Sequence, residues 1–148
     1  KLRCPPLEFM DWDDLEYLIK CGHEIGSHTM NHIKISETNI NLVEDNINES
    51  YQILNKQFGE VFHFAYPYGR YFHFNKQAFD LVFKSGFISC ASAERGCHVS
   101  DKKKLGNNQL LIRRDNLVCN WSINHILYFI LNNSKNSSHQ TNLYPNND

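Results

Sequence analysis

The chain has 148 residues, 41% hydrophobic and 13% aromatic, enough for one domain burying roughly 68–70% of its extended surface and too apolar for a disordered polymer. Net charge is −1 with a pI near 6.8 and no basic stripe, which argues against a nucleic-acid partner. The longest purely apolar run, Ile126 to Leu131, is too short to cross a bilayer, so no transmembrane segment is expected.

In chain order, Asp11 to Cys21 reads as a short helix. Asp11 caps it, Trp12, Leu15, Leu18 and Ile19 form its apolar face, and Gly22 stops it. "HEIGS", His23 to Ser27, reads as a buried strand that runs into a histidine turn. Ser36 is expected to cap a long helix with Ile40, Val43, Ile47, Tyr51, Leu54 and Phe58 on one face and Gly59 as its end. "VFHFAYP", Val61 to Pro67, alternates and is aromatic-rich, hence a strand that Pro67 ends. Asn75 opens a further helix with Ala78, Phe79, Val82 and Phe83 inward, and "FISCAS" is the strand after it. A polar loop from Gly96 to Asn108 leads to a strand "LLIRR" and an amphipathic helix from Ser122 to Leu131. The alternation of helix and strand with short connections is the pattern of an α/β parallel sheet or barrel. Residues 1–131 are taken as one domain and 132–148 as a polar, disordered tail.

Five cysteines (Cys4, Cys21, Cys90, Cys97, Cys119) make an odd count without a C-x-x-C pair. This argues against a disulfide scaffold and leans toward the cytoplasm. The chain begins with Lys1, so the lack of a signal peptide carries no weight and localisation stays open. Sequons at Asn48, Asn120, Asn132 and Asn136 matter only in a host that secretes and glycosylates the protein.

"GHEIGSHTMNH", Gly22 to His32, sets His28 and His32 four residues apart. Eight histidines in a chain of this length give roughly 0.4 such pairs by chance, so the spacing alone is weak evidence. Its merit is geometric: residues i and i+4 share one face of a helical turn, so both imidazoles can reach one ion. Zinc takes His nitrogen, and a catalytic zinc keeps three protein ligands and one open position. An incidental polar pair on a turn is the competing reading.

Taken with "FHFAYPYG", Phe62 to Gly69, and with the order of the elements between them, this segment resembles the polysaccharide deacetylase (NodB-homology) family, carbohydrate esterase family four. "MDWDDLEYL" upstream, "KSGFISCAS" and "LLIRRDN" resemble the family's surrounding elements, and the likeness spans about residues 11–116. It implies a distorted (β/α) barrel, here a partial one lacking its first strand or strands. It also implies a zinc or similar divalent ion (cobalt or nickel) held by two His and one Asp, and a polysaccharide or other N-acetylated sugar as substrate. By the same resemblance, His28 and His32 are metal ligands. The Tyr68 N–H serves as oxyanion donor. Tyr66, Pro67, Tyr68 and Gly69 are read as substrate-binding, with Tyr71 and Phe72 also near the mouth to stack on pyranose rings; filling the core is the equal alternative for these aromatics.

Three departures accompany the match. The family's strand ending in Thr-Phe-Asp-Asp-Gly is not found, and Asp13-Asp14 lie in a helix pattern, so the base and third ligand are expected outside this chain. The Arg that opens the tyrosine motif is replaced by Ala65. Arg114, or Arg113, is the candidate to orient the base from the later strand, and two arginines in surface salt bridges are the competing reading. The late Leu-x-His acid is not evident. His125 is the nearest candidate, ahead of His98, and its position inside a helix pattern also fits a structural role. His23 is read as structural, facing away from the ligands. The chain as it stands is therefore expected to bind zinc weakly and hydrolyse little. The alternative is a non-catalytic carbohydrate-binding relative that kept the fold and lost the base. Oligomeric state is not readable from the sequence.

Overall fold

The computed structural model describes residues 9–96, 110–118 and 120–135. Its first helix, α1 (Trp12–Lys20), begins where the capping signal lies. The Asp11 carboxylate accepts the Asp14 N–H at 3.0 Å, and the Asp14 carboxylate accepts the Asp11 N–H at 3.1 Å. This reciprocal box satisfies two donors that a helix start leaves open. It also assigns Asp14 to helix capping, on a helix with no buried residue.

The long helix α2 (Ile40–Phe58) is capped by Asn39, whose side chain accepts the Asn41 N–H at 2.9 Å, and not by Ser36. Ser36 falls inside a short 3-10 turn, Ile35–Glu37, that seats Ile35 in the core. The apolar face of α2 is as expected. Val43 and Ile47 are fully buried, with Ile40, Tyr51, Leu54 and Phe58 packed around them. Gly59 ends the helix at a φ of 83°.

Strand β1 (His63–Ala65) follows, then α3 (Lys76–Lys84), β2 (Ser89–Ala91), β3 (Leu110–Ile112) and α4 (Ile123–Lys135). Asn75 caps α3 by accepting the Ala78 N–H at 2.9 Å, and Ala78, Phe79 and Val82 point inward as predicted, α3 packing on α2 and the three residues joining the core cluster of Phe64 and Cys90. The sheet has the order β1-β2-β3, and both pairings are parallel. Phe64, Cys90 and Leu111 share one register row and are all buried. Burial pushes the Cys90 thiol up to about 12, so it packs as an apolar residue and is no nucleophile.

Each strand is shorter than its sequence pattern suggests. "HEIGS" contributes one parallel bridge, Ser27 to Phe64, made by Ser27 N–H to His63 O and Ala65 N–H to Ser27 O, both 2.8 Å. β1 stops at Ala65, before Tyr66 and Pro67. β3 stops before Arg113. The last helix runs to Lys135, four residues past Leu131. Most of the expected tail, and Cys4, Cys97, His98 and Cys119, lie outside the described residues. Among the described residues no helix is long and apolar enough to cross a membrane.

Because all pairings are parallel, four carboxyl ends open on one side of the sheet: Ser27, Ala65, Ala91 and Ile112. The residues that follow them are His28, the Tyr66–Gly69 turn, Ser92–Glu94 and Arg113–Arg114. This is the edge at which parallel α/β folds place their chemistry.

Ile47 and Ile130 separate core from surface, being 0% and 50% exposed. Ile47→Ala is expected to cost about 2–5 kcal/mol in urea denaturation, and Ile130→Ala to stay within about 0.5 kcal/mol. Equal losses would contradict this core assignment.

Candidate active site

His28 leaves the Ser27 bridge with its Nδ1 2.7 Å from the carbonyl oxygen of Ala65. A carbonyl only accepts, so Nδ1 carries the proton and the lone pair of the neutral ring sits on Nε2. The His32 ring lies 4.9 Å from that of His28, centroid to centroid and nearly edge-on. Both side chains are exposed.

The two histidines come together by a route other than a helical turn. Residues 28–32 form no helix; Thr29 and His32 adopt left-handed backbone, with φ of 65° and 50°. Two such residues reverse the chain sharply enough to fold the segment back on itself. Each is disfavoured for a residue with a Cβ.

Among the described residues Tyr68 is the third left-handed residue that is not glycine, at φ 61°, and Gly69 follows at 68°. The Tyr68 ring lies 5.1 Å from that of His32 and 5.5 Å from that of His73. Gly69 N–H donates to Pro67 O at 2.7 Å, and Gly69 O accepts the Ala93 N–H at 2.7 Å. Among the described residues the Tyr68 N–H makes no backbone hydrogen bond. Gly69 is required twice over. Its φ disfavours a side chain, and a Cβ would lie 2.7 Å from Ala93 N.

The neighbouring segments brace this turn. The Glu94 carboxylate accepts from Arg70 Nη1 at 2.9 Å and from Tyr71 N–H at 3.0 Å. The Arg70 N–H donates to His73 Nδ1 at 3.2 Å, which leaves the ring proton of neutral His73 on Nε2. Neither Glu94 nor His73 carries a recognisable motif in the sequence; only the parallel register that sets β2 beside β1 brings Glu94 to this turn.

Other sequence candidates sit elsewhere. Tyr66 is 1% exposed and stacks on Phe74 at 3.8 Å with parallel rings, so it fills the core and is closed to substrate. Pro67 is likewise fully buried and shapes the turn from below. Arg114 donates from Nε to Ser92 O at 3.1 Å, at the same mouth. Arg113 lies over the Tyr71 ring at 5.4 Å. His125 stacks with Trp121 at 4.5 Å and Phe129 at 5.2 Å along α4, and none of its described contacts reaches His28, His32 or Tyr68. His23 is exposed and lines a cavity of about 160 Å³ with Glu24 and His63, next to the amino end of β1.

The donor chemistry fits a divalent cation in part. His28 and His32 bring two imidazole rings within 4.9 Å, centroid to centroid, one with its tautomer set by Ala65 O. Among the described residues no third His, Cys, Asp or Glu completes a metal-binding group.

A family model described as polysaccharide deacetylase matches residues 8–87, more than half the chain and a span that contains both histidines and the tyrosine turn. Among solved structures, the chain is similar to the Streptococcus pyogenes deacetylase PplD in complex with acetate. The TM-score is 0.65 and the identity 19%, over 82% of this chain and 50% of that one. The chain thus spans about half the length of the solved structure it matches, and the likeness is one of fold. No curated protein matches it significantly.

Gly69→Ala is expected to destabilise the protein by about 1–2 kcal/mol from the left-handed backbone alone, with the Ala93 overlap adding to it. Denaturant melts measure this; an unchanged midpoint would contradict the turn geometry.

Proposed function

The chain belongs to the polysaccharide deacetylase family, and from that premise we propose that its function is metal-dependent removal of acetyl groups from N-acetyl sugars of a polysaccharide. The observation that carries the reading is the juxtaposition of His28 and His32 at 4.9 Å, with Tyr68 5.1 Å from His32, at the carboxyl edge of a parallel sheet. His28 and His32 are the residues that would hold zinc, cobalt or nickel. Such a cation polarises a carbonyl and lowers the pKa of a water toward about 7, which an unreactive amide needs.

The rest of the chemistry belongs to the chain. Ala65 O fixes the His28 ring so that Nε2 faces outward as a ligand, the usual service of a carbonyl behind a metal-bound imidazole. The Tyr68 N–H, free of backbone acceptors among the described residues, is the donor for the oxyanion that forms at the acetyl carbon. The left-handed turn aims that N–H, and the hydrogen bonds that Gly69 O accepts from Ala93 N–H and the Glu94 carboxylate from Tyr71 N–H keep it from relaxing. Arg114 leaves β3 at the same mouth, and its Nη groups make no hydrogen bond among the described residues, which suits it to orient a carboxylate base. Tyr68 and Phe72, 52% and 73% exposed, offer apolar ring faces to a pyranose.

A second reading has one observation in its favour. With no third donor among the described residues, a carbohydrate-binding relative that does not hydrolyse its ligand also fits. The two part on acetate release from N-acetylglucosamine oligomers: the enzyme releases it, while the binding relative takes up the oligomer unchanged.

Zinc competition against a chromophoric chelator tests the site itself. His28→Ala and His32→Ala are each expected to weaken zinc binding by more than the roughly 10–100-fold that outer-shell changes cost. Variants that match the wild type would refute the ligand assignment. Phe72→Ala is expected to weaken oligosaccharide binding several-fold without moving zinc affinity, as read by calorimetry; unchanged sugar affinity would remove Phe72 from the substrate path.

A further inference from the structure

The buried face of α2 contains two polar residues among its aliphatic ones. Asn46 and Ser50 are 3% and 4% exposed, beside Val43 and Ile47 at 0%. Burying an amide and a hydroxyl there is unfavourable unless each is bonded. Both are, and both bonds lead to the histidine segment. Asn46 Oδ1 accepts from the Asn31 N–H at 3.2 Å and from Asn31 Nδ2 at 3.3 Å, while Asn46 Nδ2 donates to Leu42 O at 3.0 Å. Ser50 Oγ donates its one proton to Ile47 O at 2.9 Å. Its contact with Ser27 Oγ at 2.7 Å therefore has Ser27 as donor.

The spacing is what gives these contacts meaning. Asn31 immediately precedes His32, and Ser27 immediately precedes His28. Asn46 and Ser50 are four residues, one helical turn, apart along α2, and the residues they hold, Asn31 and Ser27, are four positions apart in the chain. Helix α2 thus acts as a two-point template whose pitch is imposed on a segment that is not itself helical. The bridge to β1 and the His28–Ala65 bond hold the start of the segment, and the template adds the hold on its far end at Asn31, next to the left-handed backbone of His32.

We propose that Asn46 and Ser50 are positioning residues that set the separation and orientation of the His28 and His32 imidazoles. Asn46 acts on His32 and Ser50 on His28. The inference rests on the metal reading only for its zinc measurement; the imidazole geometry is read without metal.

The test uses the 148-residue chain and long-range proton–nitrogen NMR of the histidine rings in metal-free protein, followed by zinc titration. Asn46→Leu keeps the site apolar and filled. It is expected to shift the His32 ring signals, leave His28 largely in place, and weaken zinc binding on the order of tenfold. Ser50→Ala, small enough to fold regardless, is expected to shift His28 instead, and Ser50→Thr, which keeps the hydroxyl, to restore the wild-type spectrum. A merely structural role would lower thermal stability and move neither ring selectively. Folded variants with wild-type ring signals and wild-type zinc affinity would overturn the proposal. A wild-type chain that takes up no zinc, while Asn46→Leu still shifts His32 alone, would sink the metal reading and uphold the positioning one.

Discussion

One hydrogen bond joins the sheet to the chemistry: His28 Nδ1 to the carbonyl of Ala65, 2.7 Å. Ala65 is the last residue of β1, and Tyr68 lies three residues on, so the same strand end that orients the imidazole also launches the tyrosine turn. The Ser27 bridge on one flank and β2 on the other hold that strand end in register. Displace β1 by one residue and the carbonyl facing His28 is lost, and the turn that carries Tyr68 swings with it. Sheet register is thus a condition for the site and not only for stability.

Backbone strain concentrates in the same place. Thr29, His32 and Tyr68 are the described residues other than glycine with left-handed φ, and two of the three belong to the candidate site itself. At roughly 1–2 kcal/mol each, they form a feature that the surroundings must offset. The offsets are visible. Asn46 and Ser50 hold the histidine segment from α2, while Ala93 N–H and the Glu94 carboxylate hold the tyrosine turn from the end of β2. For the oxyanion donor proposed at Tyr68 such bracing matters, because a preorganised donor need not reorganise as charge develops.

How much of this was readable beforehand depended on the range of the interaction. Helices α1, α2 and α3 announced themselves by apolar periodicity and by caps at Asp11 and Asn75, which are signals within four residues. Ser36 misled because it too is a capping residue type, and the competing Asn39 cap, three positions on, won with a 3-10 turn between them. The strands were legible as apolar runs but not in extent, since pairing with distant segments decides where a ladder stops. The histidine pair and tyrosine motif were legible from their resemblance to a family, whereas the helical-turn rationale for the pair was mistaken. Tyr66 and Tyr68 look alike in "AYPYG", yet one stacks on Phe74 in the core and the other stands half-exposed beside His32. Strand alternation ends at Ala65, so nothing local separates them. Asn46, Ser50 and Glu94 were illegible because each acts on residues 15 or more positions away.

The fold therefore gathers at one edge two imidazoles and an N–H that makes no backbone hydrogen bond among the described residues, and the proposal that matters is that the imidazoles grip a single cation. X-ray absorption of the zinc-loaded protein reads this directly. The account predicts nitrogen scatterers at about 2.0–2.1 Å with the outer-shell pattern of two imidazole rings, reduced to one ring in His32→Ala. A shell of oxygen alone, or the same two-ring pattern in that variant, would contradict it.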